Sequence, residues 1–146
     1  MATDFSLTLP TPNLFKPKMK KHYLAIDLKD DPQYISAYED WHKESWPEIK
    51  QSIFESGINS MEIFRTGNRL VMVIETEPNF SFIKKAQMDA SNHKVQEWET
   101  IMNQYQEPLP WAKEGDKWTI MKRIFHLSKP NSNSQNEKHI PFNHEK

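Results

Sequence analysis

The 146-residue chain has no cysteine, only three glycines, and no apolar run approaching the roughly eighteen residues that a membrane-spanning helix needs. Without cysteine there is no disulfide framework, no thiolate zinc site and no cysteine nucleophile. With so few glycines, and none in a glycine-rich strand-to-helix turn, a phosphate-cradling loop is excluded. Charge of one sign is also missing: nineteen basic residues face twenty acidic ones, for a formal net charge of −1 and a pI near 6.6. Such a chain offers no basic field for a nucleic-acid backbone or an anionic membrane. Serine-nucleophile motifs are absent. The six histidines include no H-x-H and no H-E-x-x-H spacing, so no metal site is expected.

Hydrophobic residues make up 36% and mean hydropathy is −0.83, so part of the chain is not core. Residues 128–146 carry Ile140 and Phe142 as their large apolar groups among Asn, Ser, Lys and Glu, and read as a polar, disordered tail. Residues 1–18 hold Pro10, Pro12 and Pro17 without a sustained period, and lack the layout of a signal peptide. They read as an extension, and the expected location is cytoplasmic. The expected folded unit is 19–127.

Within that unit the hydrophobic period changes several times. Leu24, Ile26 and Leu28 alternate as in a strand, and Asp31-Pro32 starts a helix carrying Ile35, Tyr38, Trp41 and His42. Ser45 to Glu48 reads as a capping box that restarts the helix, and Gly57 closes it. Residues 58–65 and 69–76 alternate around Thr66-Gly67-Asn68, a hairpin. A helical region is expected from Pro78, broken near Ser91-Asn92, then continued by the stripe Val95, Trp98, Ile101, Met102 and Tyr105. After a loop over 106–116, a last strand is expected over 117–127. It would carry Trp118, Ile120, Ile124 and His126 on one face, and Met121, Phe125 and Leu127 on the other. The order β-α-β-β-α-β is the ferredoxin-like α+β plan, an antiparallel sheet with helices on one face. Apolar groups on both sheet faces call for a cover on the open one, and a second copy, giving a homodimer, is the simplest.

Tyr38 and His42, four apart on one helix, project from the same face, with Trp46 and Glu48 just beyond. An imidazole beside a phenol can exchange protons near neutral pH, although the same spacing serves an aromatic core stripe. Trp98 suits stacking on the apolar face of a sugar as readily as core packing. Glu62, within an alternating strand, and Glu99, beside Trp98, are the carboxylates of interest. Each could equally be a solvated face residue.

These residues resemble the L-rhamnose mutarotase family over roughly 22–127. The most specific stretch is Tyr38-x-x-x-His42-x-x-x-Trp46-Pro47-Glu48, similar to the family's Y-x-x-x-H-x-x-x-W-P-E. Gly57, the Val95–Met102 segment around Trp98 and the final IFHL run support it. The resemblance implies a dimeric α+β barrel that interconverts the anomers of a 6-deoxy-L-hexose without a cofactor. It implies His42 as the catalytic proton donor and Tyr38 and Trp98 as sugar contacts, with Trp46, Met61, Glu62 and Glu99 near the substrate; Tyr38 or a glutamate, Glu62 or Glu99, is the expected acid–base complement of His42. Two positions depart from the family pattern: Glu99 stands where a second Trp is usual, and Met61 where a sugar-contacting Tyr is usual. L-rhamnose is the first expectation for the substrate. L-fucose is the rival, because losing a ring and a hydroxyl alters which sugar hydroxyls can be paired. The same barrel type also serves cofactor-free and haem-linked monooxygenases, for which His42 or His126 would be the candidate ligands. It also serves as a non-catalytic sugar-binding or dimerising module.

Overall fold

The computed structural model describes residues 17–131; the expected extension and polar tail fall largely outside them. The chain runs β1 (Lys20–Leu28), α1 (Pro32–Lys43), α2 (Pro47–Glu55), β2 (Ile58–Thr66), β3 (Arg69–Thr76), α3 (Phe82–Ala90), α4 (His93–Asn103), β4 (Gln106–Glu107) and β5 (Thr119–Ile120). All pairings are antiparallel in the order β2-β3-β1-β4, and β5 joins the same edge of β1 as β4. The fold is α+β, as expected.

The alternation along β1 decides which face is covered. Ile26 and Leu28, with Leu70 of β3, meet Tyr38, Ile49, Val95, Trp98 and Met102 of the helices in one core cluster. Leu24, Ile58 and Ile74 form a second, beside Phe80 and Phe82. The opposite face carries Tyr23, Val71 and Phe64, with the Asp27–Arg69 ion pair, 2.8 Å, at its end. No helix among the described residues packs on that face.

Local signals act where the chemistry requires. Asp31 accepts the Gln33 N–H at 2.8 Å and caps α1. Asn92 accepts from Lys94 and Val95 N–H and restarts the chain as α4. Gly57 and Gly67 adopt positive φ, +96° and +54°, after α2 and in the β2–β3 turn, where a Cβ would be strained.

Three expectations are corrected. The Ser45 capping box is not made. Trp46 occupies the N-cap with no side-chain bond, because Pro47 takes the first helical position and holds the residue before it extended. The third helix begins at Phe82, not Pro78: Glu77 to Phe80 close a turn by a 3.1 Å backbone bond, and Ser81 then caps Lys84 N–H at 3.2 Å. The last strand is two residues long, not eleven. Met121 N–H still reaches Tyr23 O at 2.7 Å, but beyond it the chain leaves the sheet. Ile124, Phe125 and Leu127 stand 92%, 77% and 81% exposed. Apolar groups on both faces of that segment need cover on both sides, and the helical layer does not extend over it.

Candidate active site

α1, α2 and α4 lean on the sheet and leave between them an open cavity of about 1470 Å³. Tyr38 and His42 share one side of α1, with ring centroids 4.3 Å apart. His42 also meets Trp98 of α4 edge-on at 5.6 Å. Trp98 is the hub of an aromatic cluster, with Trp46 at 5.4 Å and Trp41 at 6.1 Å, both steeply tilted to it. Trp41 is anchored by its indole N–H, which donates to the Tyr105 hydroxyl at 3.2 Å.

The tautomer of His42 follows from its neighbour. Nδ1 lies 2.8 Å from the carbonyl oxygen of Tyr38, and a carbonyl can only accept, so Nδ1 carries the hydrogen and Nε2 keeps its lone pair. Burial lowers the His42 pKa, against a smaller opposing effect of that carbonyl, so the ring rests neutral. The Tyr38 phenol, 3% exposed, is pushed up to about 12 by burial and therefore stays protonated.

Of the residues singled out from the sequence, Tyr38, His42, Met61, Trp98 and Glu99 line the cavity. Trp46 does not; it packs against Trp98, with the Lys94 ammonium 5.3 Å from its ring centre. Glu62 is a correction. Met61 and Ile63 face the cavity, so the strand alternation sends Glu62 to the opposite, exposed face of β2. His126 is exposed beyond β5 and away from the cavity. Among the described residues no three His, Asp or Glu converge where they would hold a metal ion. No helix among them is long and apolar enough to cross a membrane.

Two cavity residues carried no signal in the sequence. Gln106, at the start of β4, places Nε2 3.5 Å from the Tyr38 hydroxyl. Lys117, just before β5, lines the cavity half-buried; desolvation lowers its pKa, and the Glu99 carboxylate partly offsets this. Neither stands in a periodic pattern, since both lie where the chain enters a two-residue strand. Only the fold brings them to α1 and α4.

The chain has known relatives. Residues 21–127 match the model of the L-rhamnose mutarotase family. The chain belongs to that family. It is 40% identical over 112 residues to an L-fucose mutarotase of Xanthomonas campestris pv. campestris, covering 75% of this chain and 90% of the relative. It is 29% identical over 115 residues to a UPF0734 protein of Dictyostelium discoideum, covering 74% and 90%. The crystal structure of an L-rhamnose mutarotase from Formosa agariphila superposes with a TM-score of 0.54 at 18% identity, over 75% of this chain and 99% of that one. The tetracenomycin F2 cyclase of Streptomyces glaucescens, a type-II polyketide cyclase, does so at 0.51 and 16%, over 76% and 99%. These two share the fold, and membership of the mutarotase family makes the chain an isomerase.

Proposed function

We propose that the protein interconverts the α and β anomers of a 6-deoxy-L-hexose in the cavity beside His42. The observation that carries this reading is the neutral His42 ring, its Nδ1–H held by the Tyr38 carbonyl and its Nε2 free, packed against the buried face of Trp98. Nε2 takes the proton of the anomeric hydroxyl. The C1–ring-oxygen bond breaks as the carbonyl forms, and the ring oxygen takes a proton from the Tyr38 phenol. The aldehyde end turns about its bond to C2. On closure the Tyr38 phenolate recovers its proton from the attacking hydroxyl, and the imidazolium returns its own to the carbonyl oxygen. All atoms and charges are restored, and the two transient charges form side by side on rings 4.3 Å apart. General acid–base help of this kind contributes roughly 10²- to 10⁴-fold.

For the sugar we favour L-fucose over the L-rhamnose first expected. The support is the 40%-identical L-fucose mutarotase, together with Met61 and Glu99 on the cavity wall, where the family's usual Tyr and second Trp are absent. NMR magnetisation exchange between anomers, with each sugar and added protein, tests this. Faster exchange of L-fucose, lost in His42→Ala, is expected. Acceleration of L-rhamnose alone would reverse the choice, and acceleration of neither would leave a binding module.

A homodimer is the partner we propose, for two reasons. The sheet face carrying Tyr23, Val71 and Phe64 lacks a helical layer, and the apolar segment around Ile124 and Phe125 stands exposed. Sedimentation should give twice the 17.4 kDa chain mass.

A further inference from the structure

Gln106 is opposite Leu28 in the β1–β4 ladder, and Leu28 packs under the helices, so Gln106 projects from the same sheet face toward Tyr38. Its side chain is 8% exposed and lines the cavity. Nε2 points at the Tyr38 hydroxyl, 3.5 Å away, while Oε1 is fully buried with no hydrogen-bond partner. Folded proteins seldom leave a buried carbonyl unpaired, because its desolvation is not recovered. The other polar residues of the wall do not reach it. Turning the amide about would only exchange the ends: one would remain at Tyr38 and the other bare.

We propose that Gln106 is a substrate-binding residue of this site. On substrate binding its side chain turns into the cavity it lines, so that the amide oxygen, closed off in the free protein, pairs with one hydroxyl of the sugar, while the NH2 end keeps its contact with the Tyr38 phenol. The inference rests on the mutarotase reading above and deepens it. Sugar hydroxyls both donate and accept, so an amide oxygen buried beside the acid–base pair is suited to receive one. Recognition and proton transfer then share one short chain of groups: sugar hydroxyl, Gln106 amide, Tyr38 phenol. A sugar that cannot offer that hydroxyl leaves the amide unpaired and holds Tyr38 less firmly. This discriminates against sugars of the wrong configuration at that carbon.

The test compares wild type and Gln106→Met, a substitution of similar length without polar atoms, on L-fucose, L-rhamnose and their 2-, 3- and 4-deoxy analogues. Magnetisation exchange gives KM and kcat for each. On the parent sugar, Gln106→Met should lower kcat/KM roughly 10- to 100-fold, with KM carrying the larger share. On the analogue lacking the paired hydroxyl, KM should agree between the two proteins within about twofold, leaving only the loss in kcat that follows from the unheld Tyr38 phenol. An equal loss on the parent and on every analogue, or no loss at all, overturns the proposal. Should Gln106→Met fail to fold, Gln106→Glu keeps an acceptor toward the sugar, and it should still distinguish parent from analogue. If it does not, the proposal fails. Wild-type exchange decides the mutarotase reading separately. If wild type binds the sugars without faster exchange, the same comparison made on affinities, by tryptophan fluorescence, decides Gln106 while the mutarotase reading falls. If wild type binds none of them, both fall.

Discussion

His22 on β1 and His42 on α1 both face the helical layer, both touch aromatic rings, and both have pKa values lowered by burial. His22 sits 5.1 Å from the Phe82 ring and 5.8 Å from Phe80, and its Nε2 is buried with no partner. It does not line the cavity. His42 has one nitrogen fixed by a backbone carbonyl and a wall of the cavity beside it. A depressed imidazole pKa therefore marks burial. Chemistry needs a fixed tautomer and space for a substrate as well.

The largest effect that tests this contrast is on rate. His42→Ala should reduce anomer exchange roughly 10²- to 10⁴-fold, measured by NMR with the fold checked by circular dichroism. His22→Ala should leave it within about twofold, as expected for a group away from the reaction. If the two variants lost activity equally, the distinction between the clusters would be gone. Next comes packing. Trp98 is buried among Trp41, Trp46 and His42, so Trp98→Ala should lower unfolding stability by about 3–5 kcal/mol in a denaturant titration. Phe82 is half-buried in the other cluster, and Phe82→Ala should cost about 1–2 kcal/mol.

The pH profile sharpens the comparison further. With neutral His42 as the proposed base and its pKa below 6.5, kcat/KM should be flat above that value and fall on the acid side, with its midpoint below 6.5. A midpoint at or above 6.5 would contradict the desolvated site. The smallest effect belongs to His22. Its folded pKa is depressed, so below 6.5 the unfolded chain binds more protons than the folded one. The stability linked to His22 is thus complete above 6.5 and lost as pH falls toward the lower folded value. His22→Phe should flatten that part of the stability curve and, by removing the orphaned Nε2, raise stability at neutral pH by up to about 1 kcal/mol.

Much of this was legible in the sequence because it depends on neighbours within a turn or a hairpin. The four-residue step from Tyr38 to His42, the Asp31-Pro32 start, the Asn92 break and the Gly67 turn are local, and each is seen. The alternation that placed Met61 on the cavity wall also places Glu62 off it. Reading both as substrate contacts ignored the two-residue period. The final strand failed for a different reason: periodicity reports which residues seek cover and is silent on where the cover is. Gln106 and Lys117 were invisible because they reach the cavity through contacts between residues distant in sequence, such as the 68 positions between Gln106 and Tyr38 of α1. The depth of the Tyr38 phenol, and hence its protonation at rest, is likewise a property of the packed layers.

His42 lies in the last turn of α1, where the helix leaves its final carbonyls without N–H partners. That end of the helix carries about half a negative elementary charge. The desolvation that keeps the imidazole neutral at rest is therefore set against a backbone field that favours its cation, through the same Tyr38 carbonyl that orients the ring. Ending the helix where it does lets an imidazole that is uncharged at rest accept a proton at modest energy and release it again. Reversible proton exchange asks for that balance between opposing influences more than for a strong acid or a strong base.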